Sequence, residues 1–257
     1  MRKIKIYIVK SIRFFNWLLS GLSIRLVKWT GKSSQAIHPK HLLEEAPEWI
    51  KYFDKEDEVL DIGCHNGQRD FKLSPFVKSI TAFDYDKKAI KNAKNWQEEK
   101  EFKNIEFLEL SAEEVLPFKN ASFDKILFLD VIEHLHNRDL IMKECFRVLK
   151  RDGQMILAAP NKETPWKIFQ KELGLFYYSD KDHKIEYSKN ELIKIHTDAG
   201  FEILEVRLIT YDFPFVGLID IIGGISLNLY KKLQDWKKSI TKKHPEKSIG
   251  FMVISKK

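Results

Sequence analysis

The chain has 257 residues, 44% of them hydrophobic and 32% charged, with a formal net charge of +7. That length and apolar content suit one α/β domain with a sizeable core and modest appendages, and exclude gross disorder. Cys64 and Cys145 make neither a disulfide framework nor a zinc pair by spacing, and with no secretory signal evident a reducing, cytoplasmic setting is expected.

The charge is unevenly spread. Residues 1–32 hold eight Lys or Arg and no acid, and residues 231–257 hold nine Lys against two acids. The middle keeps 27 basic and 35 acidic residues, so an acidic domain lies between two basic flanks. This pattern points to an anionic surface met by the flanks, not to a generally basic protein.

Residues 1–36 read as a basic amphipathic segment in which Ile4, Ile8, Ile12, Phe15, Leu19, Leu22, Leu26 and Trp29 recur at helical spacing. The longest uncharged run, Phe14 to Ile24, has 11 residues, short of the roughly 20 that span a bilayer. Its cations and aromatics suit a headgroup boundary, hence peripheral membrane contact on the inner face; a helix merely packed on the domain is the alternative. Gly21 weakens a single continuous helix here.

Residues 37–257 carry the main domain. Short apolar runs predict strands at Glu58–Ile62, Lys78–Phe83, Ile105–Leu110, Phe123–Leu129, Gln154–Ala159, Phe201–Ile209 and Gly250–Ser255. Helical stretches such as Lys87–Glu99 and Leu140–Leu149 alternate with them, which predicts a parallel sheet with helices on both faces. An apolar and basic insert occupies residues 211–247 between the last two strands. It is interrupted by Asp220 and Gly223-Gly224 and reads as a second surface-seeking element, a cap over the active site or a dimer contact.

The strongest chemical signal is Val59-Leu60-Asp61-Ile62-Gly63-Cys64-His65-Asn66-Gly67, a strand running into a glycine-containing loop. Glycines admit close backbone approach to a ligand, and helix N-terminal amides favour negative groups. Asp84 follows 17 residues after Gly67, at the end of the second strand, where a carboxylate can accept ribose hydroxyls. Tyr85 is then placed to lie on an adenine.

DIGCHNG, the acid of FDYD, LPFKNASFDKILFLDVIEHL and LKRDGQMILAAPN together resemble the class I S-adenosylmethionine-dependent methyltransferases, over residues 58 to 160. The resemblance is of the small-molecule and lipid type, similar to ubiquinone-pathway O-methyltransferases. It implies a Rossmann-like seven-stranded sheet of order 3-2-1-4-5-7-6 with strand 7 antiparallel, and S-adenosylmethionine as cofactor. By position it implies Asp61, Gly63, Cys64 and Gly67 around the methionine moiety, Asp84 and Tyr85 on the ribose and adenine, and Ala112 and Glu113 near the adenine. Asp130 is implied near the methionine end. One departure is His65, where the family commonly has glycine; a pocket compromised by it would leave a non-catalytic relic of the fold.

Methyl transfer is an in-line displacement at a sulfonium carbon, so the protein aligns the acceptor and removes its proton. Candidate bases are Glu133, His134 and His183. On a helix after the fourth strand, Asp130, Glu133 and His134 would fall at i, i+3 and i+4 and share a face. Together with His183 they would make a divalent-ion site, as in small-RNA 3′-end 2′-O-methyltransferases with a similar run, whereas the same pattern is widespread without a metal. A metal-free base or acceptor contact and a purely structural role stay open beside it.

The leading expectation is O-methylation of an amphiphilic or lipid-linked small molecule or glycan at a membrane surface. The alternatives are an RNA 2′-O-methyltransferase and a non-catalytic membrane-associated assembly factor. Basic residues interleaved with large apolar ones, and no added RNA-binding module, weigh against nucleic acid. The sequence leaves the acceptor's identity and the oligomeric state open.

Overall fold

The computed structural model describes residues 1–33, 36–43 and 48–257. Along the chain run α1 (Arg2–Trp29), β1 (Glu58–Ile62), α2 (Gln68–Leu73), β2 (Ser79–Asp84), α3 (Lys87–Glu99), β3 (Ile105–Glu109) and β4 (Phe123–Leu129). There follow α4 (Arg138–Val148), β5 (Leu149–Pro160), α5 (Pro165–Glu172), α6 (Lys189–Asp198), β6 (Glu202–Leu208), α7 (Val216–Ile225), α8 (Leu227–Lys243) and β7 (Gly250–Lys256). They divide into two compact units. A sheet unit comprises Ala46–Asn161, Ser179–Arg207 and Gly250–Lys257, and a helical unit comprises Met1–Glu45, Lys162–Tyr178 and Leu208–Ile249.

The strands form one seven-stranded sheet of order β3-β2-β1-β4-β5-β7-β6. β1 through β5 pair in parallel, and β7 runs antiparallel to β5 from Gln154–Lys256 to Pro160–Gly250. Expected and observed strands agree to within a residue or so except for β5, which starts at Leu149, five residues before the expected Gln154. Its register against β4 is interrupted between the Phe123–Leu149 and Lys125–Gln154 pairs. Asp152, in the left-handed region at φ 65°, sits in that interruption, and a pattern read for apolar runs passes over the polar Lys-Arg-Asp-Gly stretch.

Burial on both faces explains the apolar runs: Leu60, Ile62, Ile126, Leu127, Phe128, Ile156 and Leu157 are all fully buried. The helices begin where side chains satisfy free amides. Asp86 accepts from the Lys88 and Ala89 amides at the start of α3, and Ser188 and Glu191 form a reciprocal capping box on α6.

In the helical unit α1 is one continuous helix that passes through Gly21, since packing outweighs the roughly 1 kcal/mol propensity cost. α7 lies against it closely enough that a Cβ on Gly217 would come within 2.9 Å of the Asn16 Cα and the Leu19 Cβ. α7 also runs through Gly223 and Gly224 instead of breaking there. Asp220, the one acid of α7, is buried, accepting from Ser20 Oγ at 2.6 Å and facing His38 Nε2 at 3.2 Å. The apolar positions of α1 separate into two faces. Ile12, Leu19 and Leu26 are half-buried, while Ile4, Ile8, Phe15, Leu22 and Trp29 are exposed.

In the sheet unit the fully buried carboxyls of Asp61 on β1 and Asp70 on α2 are a costly polar feature. Asp61 Oδ2 and both Asp70 oxygens lack another partner, so a shared proton relieves the pair. Burial pushes Asp61 up to about 6, and burial together with the Asp61 charge also raises Asp70 well above the ordinary carboxylate range. Both folded pKa values lie above the ordinary carboxylate range. The stability that Asp61 contributes is therefore present in acid and is lost as pH rises through about 6, and the Asp70 contribution is likewise lost with rising pH. Asp70→Asn keeps the hydrogen bond without the second charge and should gain about 1–3 kcal/mol at neutral pH. Thermal melts across pH check this: the variant's advantage should vanish in acid, and an unchanged profile would refute the shared proton.

Candidate cofactor and catalytic site

A cavity of about 660 Å³ opens beyond the C-terminal ends of β1 to β4, where open α/β sheets bind ligands. The loop after β1 is fastened to the end of β2. The Gly63 and Cys64 amides donate to the Phe83 carbonyl at 2.8 and 3.0 Å, and the His65 amide donates to Asp84 Oδ2 at 2.8 Å. The other oxygen of Asp84 accepts from the Asp86 amide at 2.9 Å. Each oxygen retains acceptor capacity toward the cavity, which Asp84 lines.

His65 adopts φ 50°, the left-handed backbone that a glycine would take most easily, and histidine is among the residues that tolerate it. Its side chain is exposed and borders the cavity without filling it. The two loop glycines answer mainly to packing. At φ 76°, a Cβ on Gly67 would come within 2.6 Å of the Phe107 ring, and one on Gly63 would collide with the Val131 side chain.

Gly63, Asp84, Tyr85, Ala112, Glu113, Asp130 and His134 line the cavity, whereas Asp61, Cys64 and Gly67 lie outside its walls. Asp61 faces Asp70, and the Cys64 thiol is pushed up by burial and neighbouring carboxylates, so it is no nucleophile. Tyr85 is 81% exposed, leaving its ring free for a flat partner. Glu113 already has work: its oxygens accept from the His136 and Asn137 amides at 2.7 and 2.8 Å, which fixes the chain entering α4.

Asp130, Glu133 and His134 do not share a helix face. Asp130 sits at φ 59°, and only a single 3₁₀ turn, Ile132–His134, precedes α4. Asp130 turns instead to Arg69, which reaches its carboxylate at 2.8 Å and the Leu129 carbonyl at 2.9 Å. Tertiary structure then brings His183 to the other two. The Glu133 carbonyl accepts from the Lys184 and Ile185 amides at 2.7 and 3.3 Å, holding the segment after α5 against the 3₁₀ turn. Ligand atoms of Glu133, His134 and His183 consequently lie within 4.8 Å of one another.

In this cluster the two imidazoles meet edge to face at 4.7 Å between centroids. His183 Nδ1 hydrogen-bonds Glu186 Oε1 at 2.8 Å, and Glu133 Oε1 stands 3.9 Å from His183 Nε2. Burial, aided by the charges of Asp130 and Glu186, pushes the Glu133 carboxyl up to about 8, and its Oε2 has no hydrogen-bond partner. At neutral pH Glu133 therefore holds a proton. Sequence reasoning missed Glu186, although its i+3 spacing from His183 was a visible signal. Arg69 and Asp70 gave none: the partners of Arg69, the Leu129 carbonyl and Asp130, lie some 60 residues away, and Asp70 meets Asp61 only because α2 folds onto β1.

S-adenosylmethionine fits the residues present. Five carboxylates, Asp84, Asp86, Glu113, Asp130 and Asp182, border the cavity against His65, His134 and Lys184, which suits a ligand carrying sulfonium and ammonium charges. Asp84 offers acceptors for two hydroxyls, and the volume is that of a small-molecule cofactor site.

The comparisons with known proteins agree with this geometry. A family model described as a methyltransferase domain matches residues 53–200. A Mycobacterium tuberculosis protein named as a probable S-adenosylmethionine-dependent methyltransferase is 28% identical over 144 residues, 56% of this chain and 48% of its own length. The Pelagibacter ubique ubiquinone biosynthesis O-methyltransferase is 31% identical over 115 residues, 45% of this chain and 47% of its own. The chain thus spans about half the length of these curated relatives. Among solved structures, a SAM-dependent methyltransferase from Methanosarcina mazei superposes with a TM-score of 0.59 at 22% identity, covering 84% of this chain and 99% of that one. The [4+2]-cyclase SpnF gives 0.57 at 17%, covering 80% and 76%. At these identities the likeness is one of fold. Matched by the family model over more than half its length, the chain belongs to the methyltransferase-domain family.

Proposed function

We propose that the protein methylates an oxygen of an amphiphilic or lipid-linked small molecule or glycan at a membrane surface, using S-adenosylmethionine. The observation that carries this reading is that His134 belongs both to the cavity wall and to the Glu133–His134–His183 cluster. Proton-accepting groups thus stand beside the place where a methyl donor would lie. The cofactor supplies an electrophilic methyl on a good leaving group. Asp84 would anchor it, and the carboxylate-rich wall would face its cationic groups. His134 takes the acceptor's proton, His183 is oriented by Glu186, and Glu133 acts through His183 as a positioning residue. The ubiquinone-pathway relatives, named as O-methyltransferases, support an oxygen acceptor.

A second reading is favoured by the same cluster. Two imidazoles and a carboxylate resemble a facial triad, so Glu133, His134 and His183 would hold a divalent ion that polarises the acceptor hydroxyl.

Calorimetric titration of S-adenosylmethionine should show micromolar-range binding, weakened about 100-fold or more by Asp84→Ala as two charge-assisted hydrogen bonds are lost. No binding to the wild-type protein would favour the non-catalytic reading. Methyl transfer should rise with pH and level off above about 8, as Glu133 ionises. Glu133→Gln should remove that rise and lower kcat by about 100-fold. Because the folded Glu133 pKa lies above its ordinary 4.5, its stability contribution is lost as pH rises toward about 8. The Gln variant should therefore melt higher in alkali, which distinguishes a lost proton path from unfolding. Mn²⁺ titration separates the two readings. Stoichiometric uptake lost in His183→Asn establishes the ion-assisted form, and no uptake establishes the base relay.

A further inference from the structure

We propose that the outer face of α1, with exposed apolar side chains of α7 and α8, is a docking surface for an anionic lipid bilayer. All but four of the exposed large hydrophobic side chains among the described residues belong to the helical unit, the exceptions being Phe76, Tyr85, Val115 and Leu204. This concentration exceeds the scattered exposure normal for a soluble surface.

The face is built in a particular way. α1 turns one side, with Asn16, Leu19, Ser23 and Leu26, onto the glycines of α7. Beside that contact Ile4, Ile8, Phe15, Leu18 and Leu22 recur at intervals of three, four or seven and make one exposed stripe. Trp17, 72% exposed, and Trp29, 85% exposed, add indoles of the kind that settle at headgroup level. Phe215, just before α7, and Leu218, Leu229 and Trp236 on α7 and α8 are exposed as well.

Charge selects the occupant. Lys3, Lys10 and Lys28 share one flank of α1, at spacings of seven and eighteen residues, beside Arg25. All four are exposed and have no carboxylate partner among the described residues. A second copy of α1 would bring seven more cations and no acid against these. A bilayer with anionic headgroups supplies both an apolar depth for the stripe and counter-charge for its flank. No helix among the described residues is long and apolar enough to cross a membrane, so the contact lies in the plane of the interface.

The inference rests on the proposed membrane-linked acceptor, and the test keeps the two apart. The full chain is floated with phosphatidylcholine vesicles with and without phosphatidylserine, and S-adenosylmethionine is titrated into the same preparations. Wild-type protein should float with the anionic vesicles. Phe15→Ser with Leu18→Ser should weaken flotation at least about tenfold. Lys10→Gln with Lys28→Gln should weaken it about fivefold per cation at low salt. Unchanged cofactor affinity in both double variants shows that they remain folded. Flotation that fails for the wild type, or that neither variant alters, overturns the docking surface even if cofactor binding holds. A solution dimer dissolved by the Phe15 and Leu18 substitutions overturns it too, assigning the face to a second copy. Loss of wild-type cofactor binding alone would instead count against the methyltransferase reading.

Discussion

The attachment of the loop after β1 to the end of β2 is the constraint on which the rest of the site depends. Three successive amides, from Gly63 to His65, donate to the Phe83 carbonyl and the Asp84 carboxylate. This spends amides that would otherwise be orphaned, fixes the loop's left-handed turns and aims Asp84 at the cavity. It also explains how His65 stands at a glycine-like position. The amide it contributes fastens the loop to Asp84, and its side chain is exposed at the border of the cavity. Beneath the loop, the Asp61–Asp70 pair joins β1 to α2 by a shared proton, so the support of the cavity carries a pH dependence of its own.

The chemistry of the cluster follows from how its members are held. Glu133 is buried at the base of a 3₁₀ turn while its own carbonyl anchors the strand-like segment that brings His183. One residue thus sets both the backbone geometry and the proton affinity of the cluster. Its carboxyl is kept neutral by burial, and the edge-to-face imidazoles stand beside it. That arrangement stores a proton next to a cavity suited to a cationic cofactor. Asp130, in contrast, is exposed and paired with Arg69, so it contributes charge to the wall and no ligand atom to the cluster.

The helical unit obeys a different logic. α7 is apolar on more than one side, which a helix on a soluble surface does not sustain without a partner. Its glycines bring α1 close, its acid is buried against Ser20 and His38, and Phe215 and Leu218 stay exposed. Close packing inside the unit therefore leaves its outer surface apolar, and the basic residues along α1 define what can cover that surface.

The sheet was legible because period and composition are local properties. β4 and α3 begin and end where their apolar runs and caps put them, and the strand order followed from the motifs of the family that the chain resembles. Asp84 at a strand end was legible for the same reason. What the sequence by itself left undecided involves residues far apart in the chain. A helix face shared by Asp130, Glu133 and His134 was a local inference, and the left-handed turn at Asp130 overrode it. Likewise the apolar spacing of α1 implied one face, whereas packing against α7, some 200 residues later in the chain, divided it into two. Arg69 and Asp70 acquire their roles only from partners on other elements. Local pattern determined which segments are strands and helices, because backbone propensity and alternation act over a few residues. Tertiary structure decided which side chains meet, because burial, proton sharing and ion pairing depend on distance in space and not along the chain.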